Sequence, residues 1–500
     1  MNPNPSDRSP VAVAPNLSRP VVLAILAGIL LLAAGLRAVH LTTFGLGVDE
    51  DMTVQTSLSL PDAGWDITRV QSEDIQGHFR QMPVVYYLEA LSLKLAGFSE
   101  LGFRLPPYLL GLLSVLLLFG LARAVAGTPT ALWAAAFLAL SATQIQYAQT
   151  ARYVGPSTTA TLALGWGIVA FLRRPTLPRG IGVLALLALA AATNLFLLLI
   201  VPLLWLFLAL GWRSPAALGW ERPPRWIGRT VVVTAAFAVL VLALSAPFVR
   251  DWLAQSVRFY NRHAGLRASQ TARAAAGMIL RLEIPVVVLG LAGAVVLVRE
   301  RRAEGWLIAL LALGPELLLL ALSPFFYAPA RYVVFTAPFW CLLAARFVVF
   351  VGDRGSLLAR LSEAAVGGTV AAALFFSTTV YLRDGDGRDA MKNAFLYVAE
   401  HAQKEDIVAS TFHTDLPVRL YHLPMPVGNH VQLFREWGNW LGKFPDRRAW
   451  VVVHTSFDPS FQKMALTEPD RCRQEGLLSA ATRFTVQWVT IYRCEPRAAP

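Results

Sequence analysis

The stretch "VVLAILAGILLLAAGLRAVHLTTFGLGVDED" at residues 21–51 joins a long apolar run to three consecutive acids. The run from Val21 to Val39 is long enough to cross a bilayer, and no small-x-small cleavage site follows it. We therefore interpret it as a retained first span rather than a signal peptide. The acids Asp49, Glu50 and Asp51 then open the first outer loop, and Asp51 is expected to face water most of the three.

The composition indicates a membrane protein with many spans. Of 500 residues, 55% are hydrophobic and 15% are charged, whereas soluble domains carry about a quarter charged residues. The net charge of +12 comes from short basic clusters between apolar runs, as at "LRRPTLPRG" and "VRERRAEG". Such clusters are typical of cytoplasmic loops. No basic face with interleaved aromatic residues occurs, which argues against nucleic-acid binding.

Ten further apolar runs predict spanning helices, which makes about eleven with the first. The run 180–211 is too long for one crossing. We divide it into a hairpin at Thr193–Asn194, because a single span would place four arginines of the next loop outside. The further spans are predicted at 104–122, 130–146, 155–172, 180–193, 195–211, 227–248, 283–298, 304–323, 332–350 and 364–381.

One apolar segment is predicted to lie in the membrane interface instead. The segment 83–98, "PVVYYLEALSLKLAGF", contains Glu89 and Lys94, and its apolar residues form one helical stripe. The stripe comprises Val84, Tyr87, Leu88, Leu91, Leu95 and Phe98.

The fold class predicted is an all-α polytopic membrane domain followed by a small extracytoplasmic α/β domain. Residues 1–19 form a disordered cytoplasmic N-terminus, 20–382 the membrane domain with first outer loop 40–103, and 383–500 the outer domain. The basic loop 250–281 is placed outside by the alternation of spans alone. In the outer domain, "KNAFLYVAEHAQKED" predicts a helix, and "DIVAST", "AWVVVHT" and "FTVQWVTIYRC" predict strands.

The cysteines leave two states open. Cys472 and Cys494 are the cysteines outside the spans, and an oxidising compartment would allow a disulfide between them. Two free thiols are the alternative.

No Walker loop, GxGxxG after a strand, HExxH or CxxC occurs, so the sequence gives no sign of nucleotide-driven work. Intramembrane charge is sparse, with Glu316 alone in "LALGPELLLL", which is unlike a secondary transporter. Polar candidates gather instead at outer helix ends. They lie in "VDED", in "ELGFRLPPY" with Arg104, in "IQYAQTARYVGPS" with Arg152 and Tyr153, and in "SPFFYAPARYVVFTAP" with Arg331 and Tyr332.

One acidic stretch and several Arg-Tyr stretches thus converge on one membrane face. A carboxylate suits a proton acceptor, and guanidinium groups bind phosphate by bidentate hydrogen bonds. The alternatives are that each arginine is an interfacial anchor and that the acids are a solvated loop start.

The order of these features resembles the membrane glycosyltransferases of the GT-C fold, in particular the protein O-mannosyltransferase and aminoarabinose-transferase group. "GVDEDMTVQTSLSL" is similar to the Asp-Glu pair of their first outer loop, and "QMPVVYYLEAL" to their interfacial helix. "FRLPPYLLGLLS", "YAQTARYVGPS" and "ARYVVFTAP" are similar to their later Arg-Pro, Arg-aromatic and Arg-Tyr stretches. The family often has His-Pro-Pro where this chain has "RQMP", an acid at Thr150 and a Lys at Asn194.

The resemblance implies an inverting transfer of a sugar from a polyprenyl-phosphate donor to an acceptor in glycan, lipid or protein, at the outer face of the cell (inner) membrane. Asp49 would act as general base, with Glu50 or Asp51 orienting the acceptor or holding a divalent cation, Mg²⁺ or Mn²⁺; we assign no metal ligand. The remaining implied roles are donor-phosphate binding by Arg331, Tyr332, Arg152 and Arg104, and acceptor or sugar contacts by Asp51, Tyr153 and Tyr87.

Two other classes stay open. A translocator of lipid-linked sugar or polysaccharide would share the basic outer loop but would form no new bond. A membrane-anchored sensor would place its function in 383–500 and use the spans as an anchor only.

Overall fold

The computed structural model describes sixteen stretches of the chain. They are residues 17–46, 48–67, 69–70, 83–244, 246, 250, 267–300, 302–323, 330–353, 356–384, 388–410, 415–425, 430–432, 446–454, 472–481 and 486–496.

An apolar helix occurs at each of the eleven predicted spans. Within the described residues, eight are long and apolar enough to cross a membrane. A ninth is long enough if the helical segments Ala275–Leu282 and Ile284–Glu300, which meet at a bend of 90°, are counted as one span. The other two, at 128–140 and 177–193, are shorter apolar helices. The eleven are α1 (Arg19–Ala38), α4 (Glu100–Ala126), α5 (Thr128–Leu140), α7 (Val154–Arg173), α8 (Leu177–Thr193), α9 (Ile200–Arg213), α10 (Trp226–Leu244), α12 (Ile284–Glu300), α13 (Arg302–Leu322), α14 (Ala337–Gly352) and α15 (Leu357–Asp384).

The remaining helices lie outside these spans. A short 3₁₀ helix, Leu195–Leu199, precedes α9, and a second, Pro215–Leu218, follows it. A third, Ala330–Thr336, precedes α14. The other α-helices are α2 (Val48–Ser59), α3 (Pro83–Ala96), α6 (Ala142–Ala148), α11 (Arg267–Leu282), α16 (Arg388–His401) and α17 (Asp415–Leu420).

The middle of the bundle is occupied by α14. In the most apolar 18-residue stretch of α14 and the 3₁₀ helix before it, 89% of the residues are buried. The corresponding share is 22% for α1 and 17% for α10. Phe339, Leu342 and Val348 are fully buried, whereas α10 exposes Val232 and Val239. Exposed apolar side chains on peripheral helices are expected where lipid replaces water as the solvent.

Two local signals divide the helices. Asn194 is extended (φ −160°, ψ 118°), and its side-chain oxygen accepts a hydrogen bond from Phe196 N at 3.1 Å, which confirms the predicted break. The helices α8 and α9 then pack mainly on different neighbours, α7 and α13. The predicted span 130–146 is wrong after Leu140. There Ser141 leaves the helix (ψ 116°) and its hydroxyl caps the separate helix α6.

The outer domain contains a five-stranded sheet in the order β2-β1-β3-β5-β4. Strand β1 is parallel to β2 and β3, and β5 is antiparallel to β3 and β4. The helix α16 covers it through Phe395 and Val398, which pack against Trp450 and Ile491. The predicted helix and three strands are confirmed as α16, β1, β3 and β5. The strands are β1 (Ile407–Ser410), β2 (His430–Gln432), β3 (Ala449–His454), β4 (Cys472–Ala481) and β5 (Val486–Cys494).

The disulfide alternative is confirmed. Cys494 is disulfide-bonded and Cys341 is free, which leaves Cys472 as the partner among three cysteines. The strand register places Cys472 directly opposite Cys494 on β4 and β5.

The outer domain rests on the first outer loop. Lys392 of α16 donates to Glu100 at 2.6 Å and to the Thr42 carbonyl at 3.1 Å. Leu416 of α17 is buried in one apolar cluster with Leu46 and Val54. The outer domain therefore supports the same loop that carries the three acids.

Candidate active site

The acids of "VDED" lie in the first turn of α2, where negative charge is favourable. Glu50 accepts hydrogen bonds from Arg104 at both oxygens, Nε to Oε1 at 2.8 Å and Nη2 to Oε2 at 3.0 Å. Its Oε1 also accepts from the Ala151 amide at 2.8 Å. Both charged side chains have no exposed surface. Glu50 therefore ties α2 to α4 and to the turn between α6 and α7.

Arg104 holds the first outer loop. Besides Glu50, it donates to the carbonyls of Leu41 (3.1 Å), Phe44 (2.7 Å) and Gly45 (2.8 Å). A guanidinium has five N–H groups, and all five are used by these bonds. Arg104 therefore has no donor left for the predicted phosphate.

The other two acids differ from Glu50. Asp51 is only 3% exposed, and its Oδ1 accepts from Gln55 Nε2 at 3.1 Å. The expectation that it faces water is wrong, because α2 turns it into the protein. Asp49 is the second residue of α2, and its side chain lies outside the described residues.

Arg152 lies in the turn between α6 and α7 and is half-buried. Its Nη1 donates to Thr53 Oγ1 at 2.9 Å, and its guanidinium lies 5.4 Å from the Tyr153 ring centre. Thr53 is four residues after Asp49, hence on the same face of α2. The predicted phosphate-binding arginine is thus attached to the α2 face that includes position 49.

The predicted interfacial helix is α3, which is not among the helices long enough to span. Leu91 and Leu95 on one face are 48% and 77% exposed, while Tyr86 and Glu89 on the other are buried. The apolar face points outward and the polar face inward, as suits a helix with lipid on one side. Tyr87 donates from its hydroxyl to the Trp65 carbonyl at 2.7 Å.

Four separate stretches meet in one cluster of aromatic and apolar side chains. Tyr86, Tyr147, Tyr153 and Val334 are buried there, and partly buried residues pack on them, including Tyr87 and Tyr332. The cluster therefore joins α2, α3, the α6–α7 turn and the 3₁₀ helix Ala330–Thr336.

The 3₁₀ helix Ala330–Thr336 carries the predicted Arg331 and Tyr332. Arg331 is half-buried, and the Tyr332 ring stacks on Phe196 with ring centres 4.3 Å apart. This stack joins the segment to the break at Asn194.

Glu89 is a site residue that the sequence did not single out. It is 1% exposed, and Ser57 Oγ donates to its Oε2 at 3.1 Å. Its Oε1 has no hydrogen-bond partner among the described residues. Burial, and next the charge of Glu50, raise the pKa of the Glu89 carboxyl well above its usual range, against the opposing effects of Ser57 and Arg152. The available signal was an acid within an apolar helix, which we interpreted as evidence for the interface only.

Three further side chains, of which Glu283 and Glu316 are buried, contact the site segments. Arg281 donates to the Tyr147 hydroxyl at 2.6 Å. Glu283, at a left-handed backbone position (φ 67°), accepts from the Ala142 amide at 2.8 Å at the start of α6. Glu316 accepts from Thr336 Oγ1 at 2.5 Å and Trp340 Nε1 at 2.9 Å, which fixes the end of the 3₁₀ helix Ala330–Thr336. A lone carboxyl in an apolar span signals such a partner.

The described residues do not fit a metal centre. No group of three His, Cys, Asp or Glu side chains in the described ranges could hold an ion. The oxygens of Glu50 are occupied by Arg104 and Ala151. The predicted Mg²⁺ or Mn²⁺ stays untested, since the Asp49 side chain lies outside that set.

Residues 80–243 match the family model described as "Dolichyl-phosphate-mannose-protein mannosyltransferase". No curated protein matches the chain. Among solved structures, the chain is similar to ArnT from Cupriavidus metallidurans in the apo state, with a TM-score of 0.59 and 13% identity over 94% of this chain and 98% of that one.

Two further structures are similar over most of the chain. ArnT from Cupriavidus metallidurans bound to undecaprenyl phosphate has a TM-score of 0.58 and 14% identity, covering 95% of this chain and 98% of that one. The Archaeoglobus fulgidus oligosaccharyltransferase in complex with zinc and sulfate has a TM-score of 0.56 and 13% identity, covering 93% of this chain and 72% of that one. The predicted resemblance is confirmed at the level of fold. The chain is therefore a multi-pass membrane protein with the GT-C fold of these glycosyltransferases.

Proposed function

We propose that this protein transfers a sugar from a polyprenyl-phosphate donor to an acceptor hydroxyl, amine or phosphate group, on the outer face of the cell (inner) membrane. The transfer inverts the anomeric centre, and Asp49 is the general base. The acceptor belongs to a glycan, a lipid or a protein.

The observation that carries the proposal is the convergence of the aromatic cluster. It joins the segments of Arg152, Arg331 and the α2 face of Asp49, although these lie far apart in sequence. Guanidinium groups suit a phosphate, and aromatic rings suit the apolar faces of a sugar. A relative of the same fold binds undecaprenyl phosphate, which supports a lipid-phosphate donor. The apolar outer face of α3 offers the polyprenyl chain a surface.

The reaction is a single displacement. Asp49 takes the proton of the acceptor as its oxygen or nitrogen attacks the anomeric carbon. The bond from that carbon to the phosphate oxygen breaks, and the leaving polyprenyl phosphate keeps the electron pair. Arg152 and Arg331 stabilise the charge that develops on it. A positioned base contributes about 100- to 10,000-fold.

The test is Asp49→Asn, which keeps shape but removes the proton acceptor. We expect a loss of at least about a hundredfold in transfer rate, with the fold and the binding of the lipid donor retained. Asp62→Asn is the matched control, because Asp62 is exposed in the same loop and should transfer normally. Near-normal transfer by Asp49→Asn would end the general-base proposal. Movement of the intact donor across vesicles by both variants, without bond transfer, would favour the translocator instead.

The acceptor class can be found with the same pair of variants. Mass spectrometry of glycans, lipids and proteins from cells that carry Asp49→Asn should show one class losing a sugar that Asp62→Asn retains. No change in any class would count against the transferase.

A further inference from the structure

A polar cavity lies at the opposite end of the helices from the aromatic cluster. It measures about 280 Å³ and is formed where α4 and α7 end and α8 begins. Three arginines line it, Arg173, Arg174 and Arg179, together with Trp166 and small side chains of α4 and α7.

The position of this cavity along α7 is informative. The helix begins at Val154, in the aromatic cluster, and runs 20 residues to Arg173. At 1.5 Å per residue this is about 30 Å, the thickness of the hydrocarbon core of a bilayer. The cavity therefore lies at the opposite membrane face, at the level of lipid head groups.

The arginines of the cavity are only partly neutralised. Arg173 pairs with Glu304 at 2.6 Å and donates to the Ala124 carbonyl at 2.5 Å. Arg179 donates through Nη1 to the carbonyls of Ala170 (3.1 Å) and Arg174 (3.3 Å). Arg174 is exposed, and within the described ranges neither it nor Arg179 is paired with an acid. Two positive charges thus stay available beside an apolar wall.

That wall depends on a close approach between two helices. A Cβ at Gly120 of α4 would lie 2.3 Å from the Trp166 ring, so only glycine allows the indole to rest on α4. The indole stays 38% exposed. A flat aromatic surface next to two guanidinium groups that are not paired with an acid in the described ranges matches a molecule with an anionic head and an apolar chain.

We propose that this cavity binds the phosphate head group of an anionic phospholipid of the cytoplasmic leaflet, with an acyl chain along Trp166. Basic cavities between spanning helices on this side are suited to anionic head groups. At about 1 kcal/mol per arginine, the loss of two arginines is expected to weaken binding about thirtyfold. The simpler role of these arginines is to neutralise the C-terminal end of α7, which would need no ligand.

The experiment measures thermal unfolding of the full chain in neutral detergent, with added phosphatidylglycerol, phosphatidylcholine or inorganic phosphate. Phosphatidylglycerol should stabilise the wild type, and the double variant Arg174→Ala/Arg179→Ala should need about thirtyfold more of it for the same shift. The control Arg213→Ala/Arg222→Ala removes two exposed arginines, one at the end of α9 and one in the loop that follows it, and should respond as the wild type does.

A second double variant distinguishes a site that needs the shape of the guanidinium groups from one that needs only positive charge. It also keeps the test available if the alanine variant does not fold. Arg174→Lys/Arg179→Lys keeps the charge but loses the planar fork, and should also respond more weakly than wild type. Equal responses to phosphatidylglycerol in all variants would overturn the proposal. A full effect of inorganic phosphate alone would overturn the lipid assignment and leave a phosphate site.

Discussion

Glu50 and Asp49 are neighbours in the chain, but the structure gives Glu50 a structural setting. Its two oxygens accept three hydrogen bonds and neutralise a guanidinium with no exposed surface. A side chain with these partners cannot also take a proton from an acceptor. The catalytic pair implied by the resemblance therefore divides into one proposed base and one structural acid.

Glu50→Gln is expected to lower the stability of the fold rather than the chemical rate alone. It leaves Arg104 charged and buried without a counter-ion, which costs roughly 3–5 kcal/mol. We expect a much lower thermal unfolding temperature in detergent. Asp66→Asn is the control, since it breaks an exposed pair with Arg69 and should change little. A Glu50→Gln protein that unfolds like wild type but has no activity would return Glu50 to catalysis.

Glu89 predicts a pH dependence of stability. The ordinary pKa of a glutamate carboxyl is about 4.3, and the pKa of Glu89 in the folded protein is higher. Well below about pH 4.3 the carboxyl is therefore neutral in both the folded and the unfolded protein. As pH rises from there through the raised pKa, the unfolded chain ionises first, and the folded state loses stability by up to about 1.4 kcal/mol per pH unit.

The measurement compares unfolding temperatures of wild type and Glu89→Gln between pH 5 and 8. Glutamine accepts a hydrogen bond from Ser57 but does not titrate. The unfolding temperature of the variant should therefore rise relative to that of the wild type as the pH increases. Glu400→Gln, an exposed change in α16, should run parallel to wild type. A wild-type curve parallel to Glu89→Gln would mean that Glu89 is ionised in the folded protein.

At the scale of elements, the 3₁₀ helix Ala330–Thr336 is held from three sides. Glu316 fixes its end, Tyr332 stacks on Phe196, and Met278 of α11 packs on Ala330 and Val333. Arg331 is therefore presented from a rigid segment, as a phosphate ligand would need.

Arg331→Lys should weaken use of the lipid donor more than use of the acceptor, because lysine keeps the charge and loses the planar fork. We expect KM for the donor to rise by about tenfold, with KM for the acceptor nearly unchanged. Arg229→Lys, an exposed arginine of α10, is the control. Unchanged donor kinetics in Arg331→Ala would return Arg331 to the role of an interfacial anchor.

The helices were predictable from sequence because each apolar run must cross or line a membrane, whatever its neighbours. The break at Asn194 was predictable from loop charge for the same reason. Strand β2 has three residues, and β4, "CRQEGLLSAA", has no regular alternation. Their pairing with β1 and β5 decides their structure, and the sequence does not state that pairing.

The sequence predicts which stretches of the chain form the site, but not which residues in them contact one another. Arg104 and Arg152 each lie beside an aromatic residue near the start of a long helix, α4 and α7, and look alike in sequence. One is bound to Glu50, 54 residues away, while the other reaches Thr53. Only the packing of α2 against α4 separates the structural arginine from the proposed ligand.

At the scale of the whole molecule, the count of spans predicts the side of the outer domain. If each of the eleven predicted spans crosses the membrane, a chain with a cytoplasmic N-terminus ends outside, and the bonded Cys494 agrees with an oxidising compartment. A phosphatase fused after Pro500 should be active in the periplasm, and one fused after Gly219 should not. Activity at Pro500 from a reporter that works only in the cytoplasm would reverse the count, with the break at Asn194 as the first suspect.

The contact of Lys392 with Glu100 has a consequence for the timing of biosynthesis. The two residues are 292 positions apart in the chain. At synthesis rates of roughly 5–20 residues per second, the first outer loop emerges about 15–60 s before α16 can support it. The three acids of the first outer loop are therefore synthesised early, and the helix α16 that supports this loop is synthesised late. A chain interrupted before α16 would hold every spanning helix but lack the Lys392 contact with Glu100. We therefore expect the first outer loop to reach its final arrangement only after α16 has been made.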